Sequence, residues 1–129
     1  MKIHQIKVPK FVENGTDSAV VLDCIYTLKP ETDRHLVVKW FFNDDPEPIY
    51  QWIVQFDSRH VPQRFDGRIN LNYQANHTDR YQRYRALNLI RPTVDLTGRY
   101  SCHVLSISSQ DSAEAPMVVY GKQDKLLGC

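Results

Sequence analysis

The sequence predicts an all-β chain folded as two packed antiparallel sheets, and three observations carry that prediction. Apolar residues recur at period two in residues 20–26 and again from Tyr100 through Val104. No stretch of useful length shows the 3.6-residue repeat of an amphipathic helix. The apolar runs are separated by clusters of Gly, Pro, Asn, Asp and Ser, the residues that turns demand. At 129 residues the chain fits one domain, since two cores would each be undersized.

Taken in order, residues 3–12 form a first strand confined to an edge and broken at Pro9, which has no N–H to give a ladder. Asn14-Gly15 supplies a turn, and residues 19–26 place Val20, Leu22, Cys24 and Tyr26 on one face, the core face. Residues 28–35 are a polar loop. Residues 36–42 are apolar on both faces: with Val38 and Trp40 inward, Val37, Lys39 and Phe41 point outward. An outward Phe41 has two readings, a side chain covered by a neighbouring loop or part of a surface that another protein covers.

Residues 43–48 are a turn dense in carboxylates that lacks the ligand ladder and the glycine of a calcium loop, so a solvated hairpin turn explains it. Residues 49–53 are a strand too rich in large apolar groups for one edge to bury, so part of its set is expected at the surface. Residues 54–67 have poor periodicity, with a short edge strand at 54–56. Strands at 69–73 and 84–90 flank a loop carrying Asn76, and Leu87 and Leu89 face the core. Residues 81–85 alternate aromatic side chains with Gln and Arg, a pattern that binds single-stranded nucleic acid where the net field is positive. Here it reads as a solvated strand surface. Gly98 opens the next strand at a corner, where the Tyr100 hydroxyl can reach backbone a few residues upstream while its ring packs inward beside Cys102. The last strand is expected at 115–120, after a loop spanning 108–114.

Cys24, Trp40, Tyr100 and Cys102, in that order, resemble the immunoglobulin fold. The resemblance implies Greek-key connections and a Cys24–Cys102 disulfide joining the two sheets. It also implies that Trp40 packs against the bridge, with Tyr100 and Leu89 in the core. The extra strand between Trp40 and Arg64, and the run Arg64-Phe65 then Gly67-Arg68-Ile69 at the expected fourth strand, resemble the variable type. Two departures stand out. The last strand lacks the Gly-x-Gly bulge of antigen receptors, and Leu96 replaces the usual acid with Asp95 one place earlier, which leaves an Arg64–Asp95 ion pair open. The domain is expected to span 1–122, with a tail at 123–129. A bridge closing so long a loop contributes about 4 kcal/mol on the chain-entropy account. Of three cysteines, Cys129 is left over, without a partner in the domain.

Lys7-Val8-Pro9, Leu22-Asp23-Cys24-Ile25-Tyr26, Val38-Lys39-Trp40-Phe41, Tyr50-Gln51-Trp52, Thr97-Gly98-Arg99-Tyr100-Ser101-Cys102 and Ala113-Glu114-Ala115-Pro116 together resemble the beaten-path family of insect immunoglobulin proteins. Residues 57–75 depart from it. What the resemblance implies is an extracellular neuronal cell-recognition protein whose first domain binds a partner immunoglobulin receptor.

The remaining signals narrow the function class. Sixteen basic against fifteen acidic residues leave a net charge of +1, so no overall field favours nucleic acid or an anionic membrane. No apolar run is long enough for membrane insertion, and the start of the chain has no signal core. Sequons at Asn14-Gly15-Thr16 and Asn76-His77-Thr78, with the cysteine pair, favour an extracellular chain whose leader has been removed. His4, His35, His60, His77 and His103 have no metal-ligand spacing, and no nucleophile elbow or phosphate-cradling glycine loop is present. The expectation is no enzyme, no cofactor and no metal, but a recognition or adhesion module. Its binding face is expected on the Trp40 sheet: Lys39, Phe41, Tyr50, Trp52, His103 and Leu105, with glycans at Asn14 and Asn76 crowding the opposite sheet. The partner is another protein, either an immunoglobulin-superfamily domain or a second copy. The alternative is a secreted soluble immunoglobulin-domain protein of immunity or transport.

Overall fold

The computed structural model describes residues 1–121 and is all-β. Among these residues its strands are β1 (Lys2–Lys7), β2 (Phe11–Glu13), β3 (Val20–Thr27), β4 (Val37–Phe42), β5 (Tyr50–Ile53), β6 (Ser58–His60), β7 (Leu87–Leu89), β8 (Gly98–Leu105) and β9 (Gln110–Tyr120). One sheet has the order β1-β3-β7 and the other β2-β9-β8-β4-β5-β6. Cys24 on β3 and Cys102 on β8 form a disulfide, so the bridge links the two sheets, an arrangement compatible with a β-sandwich. Cys129 and the tail at 123–129 lie outside the described residues.

Alternation decides the core. On β3 the side chains of Val20, Leu22, Cys24 and Tyr26 are buried, and on β4 those of Val38 and Trp40. Trp40 stands opposite Cys102 in the β4–β8 register, and both are fully buried. Leu89 and Tyr100 are in the same core, and the Tyr100 hydroxyl donates to the Leu96 carbonyl at 2.7 Å. That bond supplies the partner which a buried phenol requires.

Several expectations are corrected. Pro9 does break the first strand, but its halves join different sheets: β1 lies antiparallel against β3, whereas β2 runs parallel to β9. The larger sheet is therefore mixed rather than antiparallel. Residues 54–56 form a 3-10 turn and not an edge strand, because Asp57 then takes a left-handed conformation (φ 52°) that redirects the chain into β6. The fourth strand is reduced to one bridge, Ile69 to Leu89. Beyond it the Asn70 carboxamide oxygen accepts from the Asn72 N–H at 3.0 Å, a local turn that competes with the ladder and carries the chain away.

Residues 84–86 likewise stay out of the sheet, and residues 81–85 are irregular rather than a solvated strand. The last strand is longer than expected. Every residue from Gly98 to Leu105 pairs with β9, so the connection shrinks to residues 106–109. Polar Gln110, Ser112 and Glu114 take the exposed positions of that ladder.

The ion pair at the base of the fold involves a different arginine from the one expected. Arg68 makes two hydrogen bonds to Asp95, at 2.9 and 3.2 Å, while Arg64 reaches Asp45 and Glu47. Asp44 pairs with Arg99. The carboxylates of the 43–48 turn are thus engaged by arginines. Among the described residues no group of three His, Cys, Asp or Glu is arranged to hold a metal ion.

Candidate protein-binding face

The outward face of the larger sheet is built by three cross-strand rows. Val37 stands between Ile53 and Leu105, Lys39 between Gln51 and His103, and Phe41 beside Ser101. β9 continues the rows with Gln110, Ser112 and Glu114. Since neighbours in register share a face, alternation from buried Val38, Trp40, Cys102 and Val104 sends all of these to the outer side.

At its centre the Phe41 and His103 rings meet edge to face, with centroids 4.8 Å apart and planes inclined by 69°. Both side chains are half-buried, as are Lys39 and Leu105. Partial burial and the neighbouring Lys39 ammonium both push the His103 imidazole below its ordinary value of 6.5, against an opposing pull from Glu114. The ring is therefore uncharged at neutral pH, and it presents a flat, largely apolar surface with one donor and one acceptor. Glu114 itself is held by Arg99 at 3.1 Å. Among the described residues Lys39 has no carboxylate within ion-pair reach. A half-buried aromatic pair beside an uncompensated cation suits an anchor with a polar rim.

Tyr50 and Trp52 do not extend this patch. Both are buried, because Tyr50 is registered opposite Trp40 and Trp52 opposite Val38, so they share the inward face. The Tyr50 hydroxyl donates to the Tyr84 carbonyl at 2.7 Å, and the Trp52 indole to Asp57 at 3.1 Å. The outward residues of β5 are Gln51 and Ile53, which the sequence reading missed. Gln51, the one polar position in an otherwise apolar run, was the signal that could have found them.

The sequons are also placed differently from expectation. Asn14 is exposed, but it follows β2, an edge of the Trp40 sheet itself. Its N–H donates to Tyr120 at 2.7 Å, and its side-chain oxygen accepts from the Val94 N–H. The cause is the switch of sheets at Pro9. Asn76 lies in the 70–86 loop, half-buried, its side-chain oxygen accepting from the Thr78 N–H, the Thr78 hydroxyl and the Asp79 N–H. Sugar on both would not crowd the smaller sheet alone, so the case for the outer face rests on its own chemistry.

A comparison with protein-family models and with curated proteins finds no match for this chain.

Proposed function

We propose that this chain is a variable-type immunoglobulin domain with Greek-key connections that acts as an extracellular cell-recognition module. It binds another protein, an immunoglobulin-superfamily receptor, through the outer face of the sheet containing Trp40. The β5–β6 hairpin added beyond β4, the inter-sheet disulfide and the Tyr100 corner support the variable-type reading. The bridge suits an oxidising compartment, and among the described residues no helix is long and apolar enough to cross a membrane.

The observation that carries the binding reading is the Phe41–His103 pair, flanked by Leu105 and by Lys39, which has no ion-pair partner among the described residues, on a half-buried face. The test is a screen of the disulfide-bonded protein against an array of extracellular domains, including itself, run in parallel with Phe41→Asp and Leu105→Asp. The expected result is at least one partner bound by the parent and lost in both variants while they still melt cooperatively. A partner bound equally by both folded variants would remove this face from the account.

A further inference from the structure

We propose that a groove at one end of the molecule is a second docking site, for an extended acidic segment of a partner protein that inserts a bulky apolar side chain. The groove encloses about 420 Å³ and is lined by loop residues that precede β4, follow β5 and lie within the 70–86 loop. Its floor is apolar, from Leu28, Leu36 and Val54. That volume falls within the range that side chains and small ligands fill.

Several contacts tie its walls together. His35 sits in the left-handed region (φ 57°), and its Nδ1 is 2.7 Å from the Gln55 side-chain oxygen. A non-glycine residue in that region is strained, so the surroundings must hold it there. Arg80 donates to the Gln55 carbonyl at 3.3 Å, and the buried Tyr26 hydroxyl donates to the Tyr81 carbonyl at 2.5 Å. Such preorganisation lowers the entropic cost of binding.

The charge is one-sided. Arg34 and Arg80 line the groove, and among the described residues neither has a carboxylate within ion-pair reach, whereas five of the nine arginines do. The acid in the lining, Asp33, is already saturated by the Met1 ammonium, the Lys29 N–H and the hydroxyls of Ser106 and Ser109. What the groove offers is therefore an apolar floor with two guanidinium groups that no described carboxylate neutralises, one of them spending a single N–H on the Gln55 carbonyl, and guanidinium groups fork onto carboxylates.

Exposed apolar surface also continues past the groove. Tyr81 in its wall is 50% exposed. Phe56, 73% exposed, follows Gln55, and Ile107, 69% exposed, is tied by its N–H to the Arg34 carbonyl at 3.0 Å. A peptide can cover that span together with the groove, whereas a small organic acid fills only the groove. Phe41 and His103 take no part in this site, so it stands or falls independently of the outer sheet face.

The probe is a phage-displayed random peptide library selected on the disulfide-bonded protein alone. One enriched peptide is then synthesised and its affinity measured by fluorescence anisotropy. Enriched sequences should carry an aromatic or aliphatic residue flanked by Asp or Glu. The peptide should bind the double variant Arg34→Glu/Arg80→Glu at least about tenfold more weakly, bind Tyr81→Ala more weakly, and bind Phe41→Asp unchanged. Arg34→Gln/Arg80→Gln repeats the comparison should charge reversal lower the melting temperature. Selection of neutral or basic sequences, undiminished binding to a folded double variant, or loss of binding in Phe41→Asp instead would overturn the proposal. Full displacement of the peptide by dodecanoate would do the same, by assigning the groove to a small apolar acid.

Discussion

The Trp40 indole N–H donates to the Arg85 carbonyl at 2.9 Å, across 45 residues of sequence. With the bonds from Tyr26 to Tyr81 and from Tyr50 to Tyr84, it fastens the 70–86 loop to the core where a fourth strand is lacking. Arg85 adds a two-point contact to Asp23 at 2.9 and 3.1 Å. Replacing Trp40 by Phe removes buried volume and leaves the Arg85 carbonyl without its donor. The expected loss is about 2–4 kcal/mol, read by urea denaturation, with faster amide exchange across 71–86. A loss below about 1 kcal/mol would show that the loop is held by other means.

Gly98 is required by a close approach. A Cβ there would fall on the Asn43 side-chain oxygen and within 2.6 Å of the Phe42 ring. Asn43 cannot simply yield, since its side-chain oxygen accepts from the Arg99 N–H at 2.9 Å and its own N–H donates to the Arg99 carbonyl at 2.7 Å. Gly98→Ala should therefore cost about 1–3 kcal/mol, measured by thermal melting, with Arg99 and Asn43 amide signals shifted most. A neutral substitution would mean that Asn43 moves freely.

Much of the sheet framework was legible because alternation and turn residues agree. Residues 20–26 and 100–104 announce their buried face, and Pro9 announces a break. What failed depended on register. In residues 49–53 apolar groups stand on both faces, and only pairing with Trp40 and Val38 decides that Tyr50 and Trp52 go inward. The exchange of Arg64 for Arg68 as the partner of Asp95 has a similar origin, because irregular residues 57–67 give no count from which to place a strand. The sheet joined by Asn14 was hidden too. A proline marks an interruption, and the direction taken after it is set by what the chain then packs against. Of the candidate face, Lys39, Phe41, His103 and Leu105 followed from strand parity, whereas Gln51, Ile53 and the β9 positions needed the ladder itself.

Stability should fall at both extremes of pH. Burial works against the Asp33 charge, but the Met1 ammonium, the Lys29 N–H and the Ser106 and Ser109 hydroxyls hold its carboxyl well below the usual range. Hydrogen bonds from Arg68 and Thr93 hold Asp95 down at about 2. Both folded values lie below the ordinary 3.8, so this stability is present above about pH 4 and is lost as pH falls towards 2. Asp95 is largely exposed, and its share is small. Burial raises the phenols of Tyr26, Tyr50 and Tyr100 above their ordinary 10.0, so their contribution is present below pH 10 and is lost as pH rises beyond it. The depressed His103 imidazole adds a small loss as pH falls below about 6.5, so melting temperature should be flat between about pH 7 and 9, decline gently below about 6.5 and fall steeply at both extremes. Asp33→Asn should flatten the acid limb. A melting temperature unchanged from pH 5 to 2 would contradict the assignment.

The most direct test of the proposed binding role is the dissociation constant of the partner found by the extracellular screen, measured for the parent and for Phe41→Asp alongside their melting temperatures. Phe41 is outward and only half-buried, so the variant should still fold cooperatively, with a lower melting temperature from the lost contact with the His103 ring. An anchor residue at the centre of an interface contributes about 2 kcal/mol or more, which corresponds to a loss of affinity of roughly thirtyfold. A folded Phe41→Asp protein that binds its partner as tightly as the parent would contradict the account.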